Sequence, residues 1–170
     1  FLEYAKVSHC KLFSVDNIDY QNKFINPNWK FIHCRDDDFS FVKSKIPSKF
    51  NLILLDTIHE AKHVEKIIYA YYDSLEVNHC FFIDDISWLP YLKNSDKNRF
   101  YAEVNNYETF NKILEIYFNN QENIKLEFNF HGTGMCKIKK ISNLTLNKTR
   151  KIVTRFNSIK NILRVIFRNR

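Results

Sequence analysis

Aspartates recur at one kind of place along this chain, directly after a short apolar run. Lys11–Val15 leads into Asp16-Asn17, Trp29–Cys34 into Arg35-Asp36-Asp37-Asp38, Asn51–Leu55 into Asp56, and Cys80–Ile83 into Asp84-Asp85. If each run is a strand of one open α/β sheet, their carboxyl ends share an edge. Ligands of such sheets bind at that edge. Carboxylates gathered there can accept hydrogen bonds from ligand hydroxyl or amino groups, or ligate a hard cation. Asp also follows strands simply as a turn former or helix N-cap. For any one position the two readings weigh about equally, but four in order favour a site. His59, three residues after Asp56, adds an imidazole able to take a proton near neutral pH.

A second pattern overlaps the first. His59-Glu60-Ala61-Lys62-His63 has the HExxH spacing of zinc hydrolases. On a helix it would set two imidazoles on one face, with Glu60 as general base, and the third ligand, which the spacing does not supply, would have to be a residue such as Glu76. Against it, the segment follows an apolar strand and Asp56, and large apolar residues continue it. That reading makes His59 and His63 zinc ligands; the strand-end reading leaves His63 an ordinary surface residue of a helix.

The elements that would position these residues follow from periodicity. The continuous apolar runs suggest strands covered on both faces, as in a parallel sheet. Between them, residues 59–76 place Val64, Ile67, Ile68, Tyr71, Tyr72 and Leu75 at helical spacing. Residues 106–120 do the same with Phe110, Ile113, Leu114 and Tyr117. Phe1–Val7 reads as the end of a helix, and residues 38–46 as a weaker one stopped before Pro47. Alternating strand and helix predicts right-handed crossovers and an α/β sheet. At the end, Lys125–Phe130 and Met135–Ile141 are separated only by His131-Gly132-Thr133-Gly134, the spacing of an antiparallel hairpin. Residues 86–105 form a long connection, a candidate lid in which Trp88, Tyr91 and Tyr101 could line an acceptor pocket or pack over the sheet.

With those residues in view, the chain resembles the class I S-adenosylmethionine-dependent methyltransferases over roughly residues 1–141. It is most similar to the macrocin-type small-molecule O-methyltransferases (methyltransferase family 24), and more distantly to catechol O-methyltransferase. The shared pattern is an apolar strand, Asp56, two residues, His59, a helix, and a strand ending in Asp84-Asp85, with a terminal hairpin like that fold's strands six and seven. The resemblance implies a Rossmann-like domain binding S-adenosylmethionine. Asp16 would meet the ribose hydroxyls, and Asp36 or Asp37 the adenine amino group. Asp56, Asp84 and Asp85 would hold Mg²⁺, and His59 would be the catalytic base for a sugar or other small-molecule hydroxyl. The family's first strand and glycine-rich loop precede the helix that Phe1–Val7 finishes. The two glycines of the chain, Gly132 and Gly134, both lie in the hairpin, so no phosphate-cradling loop is present. The expectation is therefore a fold lacking strand one, which binds cofactor poorly by itself. Its alternative is a non-catalytic Rossmann-like binding module.

Composition bounds the rest. With 170 residues, 45% hydrophobic, the chain can bury a core, and no apolar stretch is long enough to span a membrane. Cys10, Cys34, Cys80 and Cys136 have no CxxC spacing; reduced, mostly buried thiols of a cytoplasmic protein are expected. Net charge is +7, but residues 147–170 alone carry +8 with no acid. The body is near neutral, so the pI does not make the protein a nucleic-acid binder. Residues 142–170 read as a separate unit, and 148–168 as an amphipathic helix with a cationic face. Such a helix could lie on an anionic membrane surface, pack on the domain or a partner, or meet nucleic-acid phosphates. An oligomer is compatible with the sequence.

Overall fold

A computed structural model describes residues 2–87, 100–148, 150–152 and 159–168. Trp88 and Tyr91 lie outside these residues; Tyr101 falls within a helix. The chain opens with helix α1 (Leu2–Ser8), then strands β1 (Leu12–Asp16) and β2 (Trp29–His33), helix α2 (Phe39–Lys45), strand β3 (Phe50–Leu55) and helix α3 (Ala61–Tyr71). A 3₁₀ turn at Tyr72–Ser74 leads into β4 (Leu75–Asp84), followed by α4 (Phe100–Phe118), β5 (Ile124–Asn129), β6 (Met135–Lys140) and α5 (Ile159–Arg168).

β1 pairs with β2 in parallel, and a second sheet has the order β3-β4-β6-β5. There β3 and β4 are parallel, while β6 runs antiparallel to both β4 and β5. The α/β class and the closing hairpin are thus as the sequence predicts. The core lies where α3 and α4 cover the larger sheet: Val64, Ile67 and Ile68 of α3 and Ile113 and Ile116 of α4 meet Phe81, Ile83 and Ile138. Burying each such side chain contributes about 1.5–3 kcal/mol.

The structure departs from the sequence expectation in three places. Leu75, at helical spacing from Tyr71, is fully buried, but as the first residue of β4. The helix tightens at Tyr72–Ser74 because Asp73 and Ser74 are short polar residues that favour helix ends over interiors. The extra length of β4 carries a bulge, where its pairing with β3 shifts register and Asn78 takes φ 69°. Asn tolerates that conformation. Secondly, helix α4 buries Ile113 as expected, together with Thr109 and Ile116, while Phe110, Leu114 and Tyr117 are half-buried; the Phe110 ring meets Phe128 and Phe130 in tilted contacts at 4.7 and 5.8 Å. Thirdly, among the cysteines only Cys136 is buried; Cys10 is exposed and Cys34 and Cys80 are half-buried. Cys10 lies beyond α1, while Cys34, just beyond β2, is half-buried against the core.

The edges of β1 and β3 face one another without pairing, and the Phe13 and Phe50 rings meet between them at 6.5 Å. A groove of about 720 Å³ separates the two strands along their length. Its walls explain why β3, though apolar throughout, is not covered on both faces: Leu52 and Leu54 remain 49% and 42% exposed. This is the place at which the described chain lacks a strand of a continuous parallel sheet, as expected of the fold without strand one.

Residues 142–148 and 150–152, expected to enter a helix at 148, are instead non-helical. Side chains at the end of α4 capture their backbone groups: Asn120 bonds both the amide and the carbonyl of Asn147, Asn123 the carbonyl of Thr145, and Asn119 that of Arg150. The Tyr69 hydroxyl also donates to the Asn147 carbonyl at 2.6 Å. These amides satisfy backbone groups that a helix would otherwise pair. Among the described residues the tail is helical only from Ile159.

Candidate active site

Each strand-end aspartate has a distinct local task. The Asp16 carboxylate, last in β1, accepts a hydrogen bond from the Ile18 amide at 2.8 Å, an Asx turn that leaves the other oxygen toward the groove mouth. Asp38 caps α2 by accepting from the Phe41 amide, so its role is structural. Arg35 donates two hydrogen bonds to Asp37, at 2.8 and 3.0 Å, and these hold that carboxyl below its ordinary range. Asp36 faces the other way. It accepts from the Thr57 hydroxyl at 2.6 Å and from His63 Nε2 at 3.0 and 3.1 Å. The Tyr71 hydroxyl donates to the Asp36 carbonyl at 3.1 Å, and burial, reinforced by the Asp36 charge, pushes this phenol up to about 12.

His63 is therefore not a surface residue: only 8% of it is exposed. It ties the end of β2 to α3. Sequence reasoning missed it because it is polar, although it sits four residues before Ile67 on the buried helical face. Thr57 was missed as well, and nothing in its type or spacing singles it out. This cluster links the segment after β2 to the segment after β3 and to α3.

The second cluster lies at the ends of β3 and β4. His59 Nε2 is 3.1 Å from Asp85 Oδ2 and 4.0 Å from Asp56 Oδ1. Asp85 takes φ 55°, a left-handed conformation that costs a non-glycine residue roughly 1–2 kcal/mol and turns its carboxylate to the imidazole. Asp84 turns elsewhere, accepting from the Asp85 amide at 2.9 Å and the Thr133 hydroxyl at 3.2 Å. The hairpin seats this corner: the Ser87 amide donates to the Thr133 carbonyl at 2.8 Å, and the Ile86 amide to the Gly134 carbonyl.

The structure thus brings Asp16, Asp36 and Asp56 to the mouth of one groove, and Asp56 and Asp85 to one imidazole. It does not bring Asp37 to the groove. Among the described residues no three His, Cys, Asp or Glu side chains converge to hold an ion, Asp56, Asp84 and Asp85 included. The HExxH geometry fails too. Helix α3 begins at Ala61 with Glu60 as its N-cap, so His59 precedes the helix, and His63 already spends Nε2 on Asp36.

No family model matches the sequence, and no curated protein matches it. Solved structures do. The SAH-bound methyltransferase PaMTH1 of Podospora anserina matches with a TM-score of 0.61 at 13% identity, over 82% of this chain and 64% of that one. MycE, a methyltransferase of the mycinamycin biosynthetic pathway in complex with Mg, SAH and mycinamycin VI, matches with a TM-score of 0.54 at 14% identity, over 78% and 37%. A putative caffeoyl-CoA O-methyltransferase from Staphylococcus aureus matches with 0.57 at 11% identity, over 81% and 68%. The chain has the class I methyltransferase fold. It spans 37% of MycE and 64% of PaMTH1. In this fold β1–β4 stand for strands two to five and the hairpin β5–β6 for strands six and seven. The groove between β1 and β3 marks the place of strand one.

Proposed function

We propose that this chain supplies the cofactor and acceptor ends of an S-adenosylmethionine-dependent O-methyltransferase acting on a sugar or other small-molecule hydroxyl. One observation carries the reading: the carboxylates of three successive strands, Asp16, Asp36 and Asp56, line the mouth of a single groove, at the sheet edge where α/β folds bind nucleotides. Its volume lies within the range of ordinary ligand pockets. The SAH bound in MycE and PaMTH1 supports the choice of cofactor.

The residue roles follow from the local geometry. Asp16 keeps an oxygen for paired ribose hydroxyls. Of Asp36 and Asp37, Asp36 is the one suited to an adenine amino group, because it lines the groove while Asp37 is taken up by Arg35. A carboxylate has about four acceptor sites; Thr57 and His63 leave Asp36 one on Oδ1. His59 is the base. With Nε2 turned to Asp85, that nitrogen carries the proton and Nδ1 is left to accept one from the acceptor hydroxyl. Asp85 then stabilises the imidazolium as it forms. When bound, S-adenosylmethionine would supply the methyl for the acceptor oxygen and leave as the neutral thioether, while His59 would hold the hydroxyl proton. The oxygen donors at this corner suit Mg²⁺ in kind, since that ion takes one or two carboxylates and keeps several waters. Asp56 and Asp85, which both approach His59, would hold it with water filling the remaining positions, and Asp84, turned to Thr133, would take no part. There it would lower the pKa of the acceptor hydroxyl.

The test is methyl transfer from tritiated S-adenosylmethionine to sugar, glycosylated macrolide and catechol acceptors, using protein that includes any native sequence upstream of Phe1. His59→Ala should lower kcat about 100-fold or more with SAH affinity within about two-fold. Turnover by His59→Ala at the wild-type rate would remove the base from the mechanism.

A further inference from the structure

Helix α5 leaves an apolar face uncovered. Ile159, Leu163 and Ile166 are 79%, 47% and 57% exposed. Their spacing puts them within an arc of roughly 60° at 3.6 residues per turn. A helix packed on its own domain would bury that arc. Lys160 and Arg164, both exposed, flank that arc on one side of the helix. The segment leading to it adds exposed Lys148, Arg150 and Lys151. No acid occurs anywhere after Glu127. The Asn119, Asn120 and Asn123 side chains fix that leading segment, through the carbonyls of Thr145, Asn147 and Arg150, to the residues that follow α4.

From these features we infer that α5 is a membrane-surface anchor, its apolar arc entering the headgroup–acyl boundary of an anionic bilayer and its cations meeting lipid phosphates. Charge complementarity selects this occupant. A second copy of the chain would bring a cationic tail against a cationic tail, and an acidic protein surface or a nucleic acid would leave the apolar arc in water. A helix with an apolar face and a polar face rich in Lys and Arg is the form that lies in a bilayer interface. None of the helices is long and apolar enough to cross a membrane, among the described residues, so the contact is with one leaflet. The inference stands apart from the methyl-transfer reading. An anchored domain would act on acceptors that reach the membrane surface, such as a hydroxyl on a lipid-linked sugar.

The experiment is co-sedimentation of the full chain with sucrose-loaded vesicles, either of phosphatidylcholine alone or of phosphatidylcholine mixed with phosphatidylserine. Each cation near an anionic surface strengthens partition about five-fold. Lys160→Ser with Arg164→Ser should therefore weaken binding to the anionic vesicles about 25-fold, and binding should fall with added salt. Leu163→Ser with Ile166→Ser should weaken it about ten-fold or more. Because these positions are exposed, both double variants should keep the wild-type circular dichroism and thermal midpoint. Equal partition onto neutral and anionic vesicles would overturn the inference. So would undiminished binding by the Leu163/Ile166 variant, which would leave only a charge contact of the kind a nucleic acid also makes. Failure to bind any vesicle, with a smaller particle in light scattering for the Leu163/Ile166 variant, would assign the face to self-association instead.

Discussion

Gly134→Ala is expected to lower the unfolding free energy by about 3 kcal/mol or more, whereas Gly132→Ala should cost only about 1 kcal/mol. Both glycines have positive φ, 81° and 64°, so both substitutions carry left-handed strain. They differ in what an added methyl would meet. At Gly132 nothing lies within 4 Å, while at Gly134 the new carbon would stand 2.6 Å from the Ser87 amide nitrogen and 2.9 Å from Ser87 Cα. Backbone cannot yield as a side-chain tip can, so the hairpin and the segment after β4 must separate. That separation breaks the bonds from Ser87 and Ile86 to the hairpin and releases the corner carrying Asp84 and Asp85. Denaturant unfolding of both variants measures the difference. Equal destabilisation of the two would show that the close approach at Gly134 does not hold this corner.

Removing the imidazole of His63 is expected to cost about 2–3 kcal/mol. It deletes the donor to Asp36 and opens space beneath α3, and the Asp36 carboxylate, 23% exposed, keeps only the Thr57 hydroxyl. The loss should be uneven. Because His63, together with Tyr71, ties the segment after β2 to α3, His63→Ala should loosen the smaller sheet first, and amide exchange in β1 and β2 should accelerate more than in β4 and β6. His63→Gln, which retains a donor, should recover part of the stability. Uniform exchange across both sheets would mean that the two are held together by other contacts.

These residues show what was legible in the sequence. The strand ends were readable because an apolar run followed by Asp combines two independent signals, burial and a turn former. The hairpin was readable from its glycines, which both take the positive φ that their spacing implied. Position along the chain could not say which Asp faces the groove. Asp36 and Asp37 are neighbours, and the choice between them is made by Arg35, Thr57 and His63, two of which come from other elements. His63 shows the cost of reading a helix by hydrophobicity alone: it occupies the buried face, but its burial depends on a carboxylate 27 residues earlier. The exposure of Leu52 and Leu54 had no local signal at all, since it reflects the strand that is not between β1 and β3.

The tail divides in the same way. Its charge and apolar spacing were visible, and α5 keeps them. The non-helical course of residues 142–148 and 150–152 was not visible, because the Asn119, Asn120 and Asn123 amides hold it from outside the segment.

The central claim is that the carboxylates at the groove mouth form a cofactor site, and calorimetric titration with SAH tests it most directly. The titration is to be run on this chain and on protein carrying any native sequence upstream of Phe1, with Asp16→Ala beside each. The account predicts saturable binding to the longer protein, weaker or no binding to this chain, and loss of about 1.5–3 kcal/mol of binding energy in Asp16→Ala, the value of a hydrogen bond to a charged group. Binding by Asp16→Ala as tight as by the wild type, or no binding by the longer protein, would contradict it.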